Sequence, residues 1–71
     1  MPGVHPATSA LLRWFEFAHL PDGPGRTTSV KFHRLAHDLV DSIPPAGGAE
    51  LTTALRKLLE AKDCAVRAAL S

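Results

Sequence analysis

Hydrophobic residues recur with a helical period through the second half of the chain. Phe32, Leu35, Ala36, Leu39, Val40 and Ile43 follow the i, i+3, i+4, i+7 spacing of one helix face, and Lys31, Arg34, His37, Asp38 and Asp41 fall on the other. Thr27 or Thr28 offers an N-cap hydroxyl, so the spacing predicts a helix from there to about Ile43. Pro44 and Pro45 end it, and Ala46-Gly47-Gly48 turns the chain. A second helix is predicted from about Ala49 to Leu70. So short a connection makes the two helices antiparallel neighbours, an αα-hairpin. Leu51, Leu55, Leu58, Leu59, Val66 and Leu70 cover one side of the second helix. Ala54, Ala61, Ala65, Ala68 and Ala69 widen that side by roughly a third of the circle, at about 100° per residue. One hairpin partner cannot cover such an arc, and a strip of alanines lets another helix come close, so self-assembly is expected.

The first part of the chain is less regular. Ser9 to Leu20 reads SALLRWFEFAHL and holds Trp14, Phe15 and Phe17. Arg13, Phe15 and Phe17 share a face if this segment is extended; Leu11, Leu12, Phe15 and His19 share one if it is helical. Periodicity over so short a run leaves both readings open. Pro21-Asp-Gly-Pro-Gly25 is a turn or loop. Met1 to Ser9, broken by Pro2, Gly3 and Pro6, reads as a disordered leader, and residues 10–71 as one domain. The fold class expected is therefore all-α: an antiparallel hairpin with an aromatic N-terminal segment, assembled as a homo-oligomer.

Length sharpens the case for assembly. A chain of 71 residues buries only about 60% of its unfolded surface, so it usually needs a disulfide, a metal or a partner as a staple. Cys64 is the single cysteine, which excludes an intrachain disulfide and fits a reducing compartment. Eight Lys and Arg against seven Asp and Glu argue against a protein that coats duplex DNA. There is no run of about 18 apolar residues and no signal-peptide pattern at the start, so a cytoplasmic location without a membrane partner is expected. No internal repeat or low-complexity tract occurs.

Several residues invite a functional reading, each with a plainer one beside it. Lys62 falls at the centre of the apolar side of the second helix. It either points into an oligomer channel that holds an anion, or packs its stem in the core with its head at an edge, bonded to Glu50 or Asp63. Arg56, Glu60, Asp63 and Arg67 form a polar face that is ordinarily just solvated. Arg13, Arg26, Lys31 and Arg34 surround the loop and the first turns of the first helix, where cations and a helix N-terminus suit phosphate. The neighbouring aromatics suit stacking on a base, or else cap the hairpin core, the reading preferred for Trp14. His33 and His37, at i and i+4, have a zinc-binding spacing, but no third donor completes the set in sequence, and no metal or cofactor is expected. No His lies close to Cys64 in sequence, and no carboxylate pair or phosphate-binding glycine loop stands out. The chain reads as a binder and not as an enzyme.

The order of RWFEFAHLP, a loop, the helix SVKFHRLAHDLVDSIPP, and ALRKLLEAKDCAVRAAL resembles the short phage and prophage proteins of the anti-CBASS sponge family, whose helical-hairpin domain is shared with some anti-Thoeris sponges. The resemblance covers Arg13 to Leu70. It implies a compact homo-oligomer, commonly a hexamer, in the host cell cytoplasm. It also implies a protein that binds cyclic dinucleotide or trinucleotide immune signals and withholds them without breaking a bond. By the same resemblance Phe17 matches the aromatic that stacks on a base, although this chain departs from the family pattern in having Phe rather than Tyr there. Lys31 matches a helix-start lysine set against the phosphate, helped here by Arg34 or Arg13 and completed by a neighbouring subunit. Thr28, within the Thr27-Thr28-Ser29 hydroxyls, and Arg67 lie near a second, pore-side pocket for trinucleotides.

Two other classes compete. A helix-turn-helix DNA binder needs a tighter turn and a base-reading helix. A small helical adaptor working through protein-protein contacts needs only the apolar face.

Overall fold

The computed structural model describes residues 6–44 and 47–71. The described chain is all-α: α1 spans Pro6–Leu12, a 3-10 turn spans Arg13–Phe15, α2 spans Pro24–Ser42 and α3 spans Gly48–Leu70. No helix among the described residues is long and apolar enough to cross a membrane. The part of the expected leader before residue 6, and Pro45 and Ala46 of the expected turn, lie outside the described residues.

Pro6 to Ser9 are not leader but the first half of α1. Thr8 is buried at 2% exposure. Its hydroxyl lies 3.4 Å from that of Thr52 on α3, and the Thr52 hydroxyl already donates to the Gly48 carbonyl at 2.9 Å. Thr52 has one hydrogen to give, so Thr8 is the donor between the two. A satisfied hydroxyl pair thus ties α1 to the start of α3.

The open question over residues 10–20 resolves by division. The chain is helical to Leu12, tightens into the 3-10 turn, and leaves it at Glu16 in an extended conformation (φ −64°, ψ 147°). Phe15 is wholly buried, whereas Trp14 is 67% exposed, so Phe15 and not Trp14 caps the core. Lys62 anchors this turn from α3. Its ammonium donates to the Trp14 carbonyl at 2.6 Å and stands 6.0 Å from the centre of the Phe15 ring. The stem runs through apolar surroundings while the head reaches the edge, the plainer of the two readings, with a backbone carbonyl as partner in place of Glu50 or Asp63.

α2 begins earlier than the threonines suggested. Gly23 adopts φ 143°, which an L side chain rarely takes, and Pro24 follows at the first helical position. A proline there forfeits no bond, since the first N–H groups of a helix have no partner, and its fixed φ starts the helix before Thr27. Thr27 instead donates its N–H to the Gly23 carbonyl at 3.0 Å. At the other end Ile43 is extended (ψ 130°), as a residue before proline must be.

α2 packs along α3 with its first turn against the last turn of α3. A Cβ on Gly25 would meet a Leu70 methyl at 3.3 Å, so glycine sets how closely the helices approach. Phe15, Ala36, Leu51 and Leu55 are the buried hydrophobic side chains, and Leu11, Leu12, Phe32, Leu39, Val40, Ile43, Leu58 and Leu59 pack half-buried around them. Leu35 breaks the expected stripe and is 45% exposed. The alanine arc of α3 also divides: Ala65 and Ala69 are half-buried, while Ala54, Ala61 and Ala68 are exposed.

So small a core makes each member costly to lose. Phe15→Ala should cost about 3–5 kcal/mol, a large part of the roughly 5–15 kcal/mol a folded domain has. Urea unfolding followed by circular dichroism measures it; a loss under about 1 kcal/mol would show that Phe15 does not hold α1 to the long helices.

Candidate functional site

The strap from Glu16 to Leu20 leaves the 3-10 turn extended at Glu16, turns at Ala18 and His19, and presents two groups of side chains against the long helices. Its end bounds a cleft of about 230 Å³ against α2 and α3, walled by His19, Leu20, Ser29, Lys62, Asp63, Val66 and Arg67. Two fixed cations face one carboxylate there, so the opening favours an anion. At its floor, Ser29 is fully buried and its hydroxyl oxygen has no hydrogen-bond partner among the described residues. An unsatisfied buried hydroxyl is unfavourable by about 1–3 kcal/mol and is relieved by any ligand that bonds to it. Arg67 is exposed, with Nη2 3.4 Å from the Cys64 sulfur, a weak bond that leaves the guanidinium free to turn.

The start of the strap lies on a different side of α2. Phe17 is half-buried, its ring edge-on to His33 at 5.0 Å, with the Arg26 guanidinium 5.5 Å from its centre. Arg26 is held by the Leu20 carbonyl at 3.3 Å and the Asp22 carboxylate at 3.5 Å, an exposed pair that adds little stability. The His33 and His37 rings lie 4.3 Å apart. Glu16 joins them: its carboxylate and the two imidazoles each offer a donor atom, all within 4.8 Å of one another. The strap therefore supplies the third donor that the sequence around the histidine pair lacks. Seventeen positions separate Glu16 from His33, and only the extended exit from the 3-10 turn brings the carboxylate back over α2.

The residues singled out from sequence are dispersed by this arrangement. Arg67 lines the anion cleft. Phe17 borders the histidines. Lys31 and Arg34 are exposed on α2; at about 100° per residue Lys31 is roughly 160° around the helix from His33, so Phe17 and Lys31 do not face each other within one chain. Arg13 is exposed beside Ala10 and Trp14, in a separate shallow cleft of about 270 Å³. Thr28 is half-buried outside the anion cleft, where its neighbour Ser29 stands instead. Lys62, for which the sequence offered an anion-holding reading among the leucines, does line this cleft, and His19, which only the strap carries to α3, is the participant that sequence reasoning missed.

The orphaned hydroxyl makes a checkable statement about the empty cleft. Ser29→Ala should stabilise the ligand-free protein by up to about 1 kcal/mol, through removal of an unpaired buried group and the better helix propensity of alanine. Thermal melting tests this; a lowered melting temperature would mean that the hydroxyl is bonded in solution. Comparison with protein-family models, with curated proteins and with solved structures finds no match for the chain.

Proposed function

We propose that this protein binds cyclic oligonucleotides and withholds them, uncleaved, from other proteins, as a sponge of the anti-CBASS kind carried by a phage or prophage. The observation that carries the reading is the cleft in which Lys62 and Arg67 stand over the unpaired Ser29 hydroxyl. Cations and a hydroxyl donor are what a phosphodiester requires, and the helices around them are already packed. The resemblance of the aromatic segment and of the two long helices supports the same reading.

The cleft, at about 230 Å³, is below the roughly 300–1,000 Å³ of pockets that enclose a whole drug-sized ligand. It suits one phosphate with part of its sugar, and a neighbouring copy completes the rest. Assembly has its own support in the exposed row of Ala54, Ala61 and Ala68, each seven residues after the last, and in Leu70 at 67% exposure. The hairpin of α2 and α3 is thus the unit of a homo-oligomer, a hexamer on the family pattern. In such an assembly Lys31 of one copy reaches the Phe17 region of another. The protein acts in the host cytoplasm and has no catalytic step, no membrane and no duplex nucleic acid as partner. Trp14, large and 67% exposed, favours the adaptor as the second reading.

Calorimetry with a panel of cyclic dinucleotides and trinucleotides decides between them. Arg67→Ala removes a charge-assisted bond and should weaken binding by about tenfold or more. Phe17→Ala removes a stacking surface and should weaken it by about ten- to a hundredfold. The ligand should be recovered intact after denaturation. A parent protein that binds none of the panel refutes the sponge and leaves the adaptor; product that accumulates with time makes the protein an enzyme.

Assembly is tested separately. Ala65, the position in the middle of the alanine arc, is half-buried within one chain, so Ala61→Glu is the cleaner probe. It should dissociate the oligomer in light scattering while the helix content stays unchanged. A monomeric parent, or a variant that assembles like the parent, removes the alanine face as the contact.

A further inference from the structure

We propose that Glu16, His33 and His37 hold a divalent transition-metal ion, with zinc the natural occupant of this donor set. Three observations converge. The donor atoms of the three side chains all lie within 4.8 Å of one another. His33 Nδ1 is 3.2 Å from the Phe15 carbonyl. A carbonyl only accepts, so Nδ1 carries the proton and Nε2 keeps its lone pair. This is how metal-ligating histidines are held: one ring nitrogen donates to a carbonyl or carboxylate, and the other is aimed at the ion. His37 Nε2, finally, is buried and has no hydrogen-bond partner among the described residues.

The fit is chemically specific. Two imidazoles and one carboxylate form the ligand set of three-donor zinc sites that keep a fourth position for water. Zinc bonds of about 2.0–2.2 Å place neighbouring ligands roughly 3.4 Å apart. The donors must therefore draw in from their present spacing, and Glu16 is the one free to do so, being exposed on an extended strap. The two histidines already lie one turn apart on α2, with ring centres 4.3 Å from each other and planes tilted by 47°. Calcium or magnesium is disfavoured, because those ions take oxygen donors.

The ion would also supply what the length of the chain demands. A domain this small lacks a disulfide, and a metal that links the strap to α2 closes the stretch between Glu16 and His33, where no helix turn ties the strap down. This inference does not depend on the nucleotide reading; metal binding can be present or absent whichever way that falls.

The experiment uses the full chain stripped with EDTA and then titrated with Co²⁺, followed by Zn²⁺. Co²⁺ should give visible absorption of a four- or five-coordinate site, and Zn²⁺ should displace it stoichiometrically. Zinc at about a hundred times its dissociation constant should raise the melting temperature by roughly 10–20 °C. Glu16→Gln and His37→Gln should each weaken binding by at least about tenfold, and Cys64→Ser should leave it unchanged. Circular dichroism checks that each variant is folded; if His37→Gln is not, Glu16→Gln, altered on an exposed side chain, decides alone. No Co²⁺ spectrum and no zinc-induced stabilisation in the parent overturn the proposal. So does parental affinity in folded Glu16→Gln or His37→Gln, which would place any bound ion elsewhere.

Discussion

Everything distinctive in this molecule follows from the burial of Phe15 at the end of α1. A ring that is wholly excluded from water must sit between the long helices, and an α-helical continuation from Leu12 does not put it there. The chain tightens into a 3-10 turn, which leaves the Trp14 carbonyl without a helical partner, and Lys62 supplies one from across the core at 2.6 Å. A lysine among leucines is costly unless its head finds a partner, and a carbonyl at the core's edge is such a partner. The turn then releases the chain at Glu16 in an extended conformation. That one change of direction creates the strap, and the strap creates both groups of polar side chains.

Size is the second constraint. With four buried hydrophobic side chains, the described chain has little apolar burial to set against its conformational entropy. Thr8 and Thr52 close α1 onto α3, and Gly25 lets Leu70 approach, but these are refinements. Exposed Trp14, Leu35 and Leu70 and the free alanine row show apolar surface that one chain does not use. Association and metal binding are the two remedies open to a single-cysteine chain, and the features that support each lie on different faces. Neither proposal competes with the other for residues.

The helices were legible where local rules govern. Pro44 stops α2 because a proline pushes the residue before it toward the extended region, and α3 keeps its apolar period from Leu51 to Val66. The start of α2 was misread because two threonines look like caps, while Gly23 and Pro24 start a helix by backbone geometry with no capping side chain. Leu35 fits the period yet is 45% exposed, because no neighbour among the described residues covers it. Trp14 and Phe15 are adjacent large aromatics; which one is buried depends on the pitch of a three-residue turn, and hydrophobic periodicity over so short a run does not report that. The sites were the least legible. Phe17 and Lys31 are close in sequence order but on opposed sides of α2, and Glu16 meets His33 and His37 only through the strap.

The strap is the element least able to hold itself. Between Glu16 and Leu20 its backbone bonds are those of two short turns, Glu16 to Arg13 at 3.4 Å and Leu20 to Phe17 at 3.0 Å. Its place is kept by side chains instead: His33 on the Phe15 carbonyl, Arg26 on the Leu20 carbonyl, and the Phe17 ring between them. Segments with few backbone bonds and little burial are the first to open in any native protein. Here the same five residues carry the donor of the proposed metal site at one end and a wall of the proposed anion cleft at the other. A ligand at either end therefore stabilises the part of the fold that costs least to order and contributes most to recognition, which is where a small helical protein can bind without rebuilding its core.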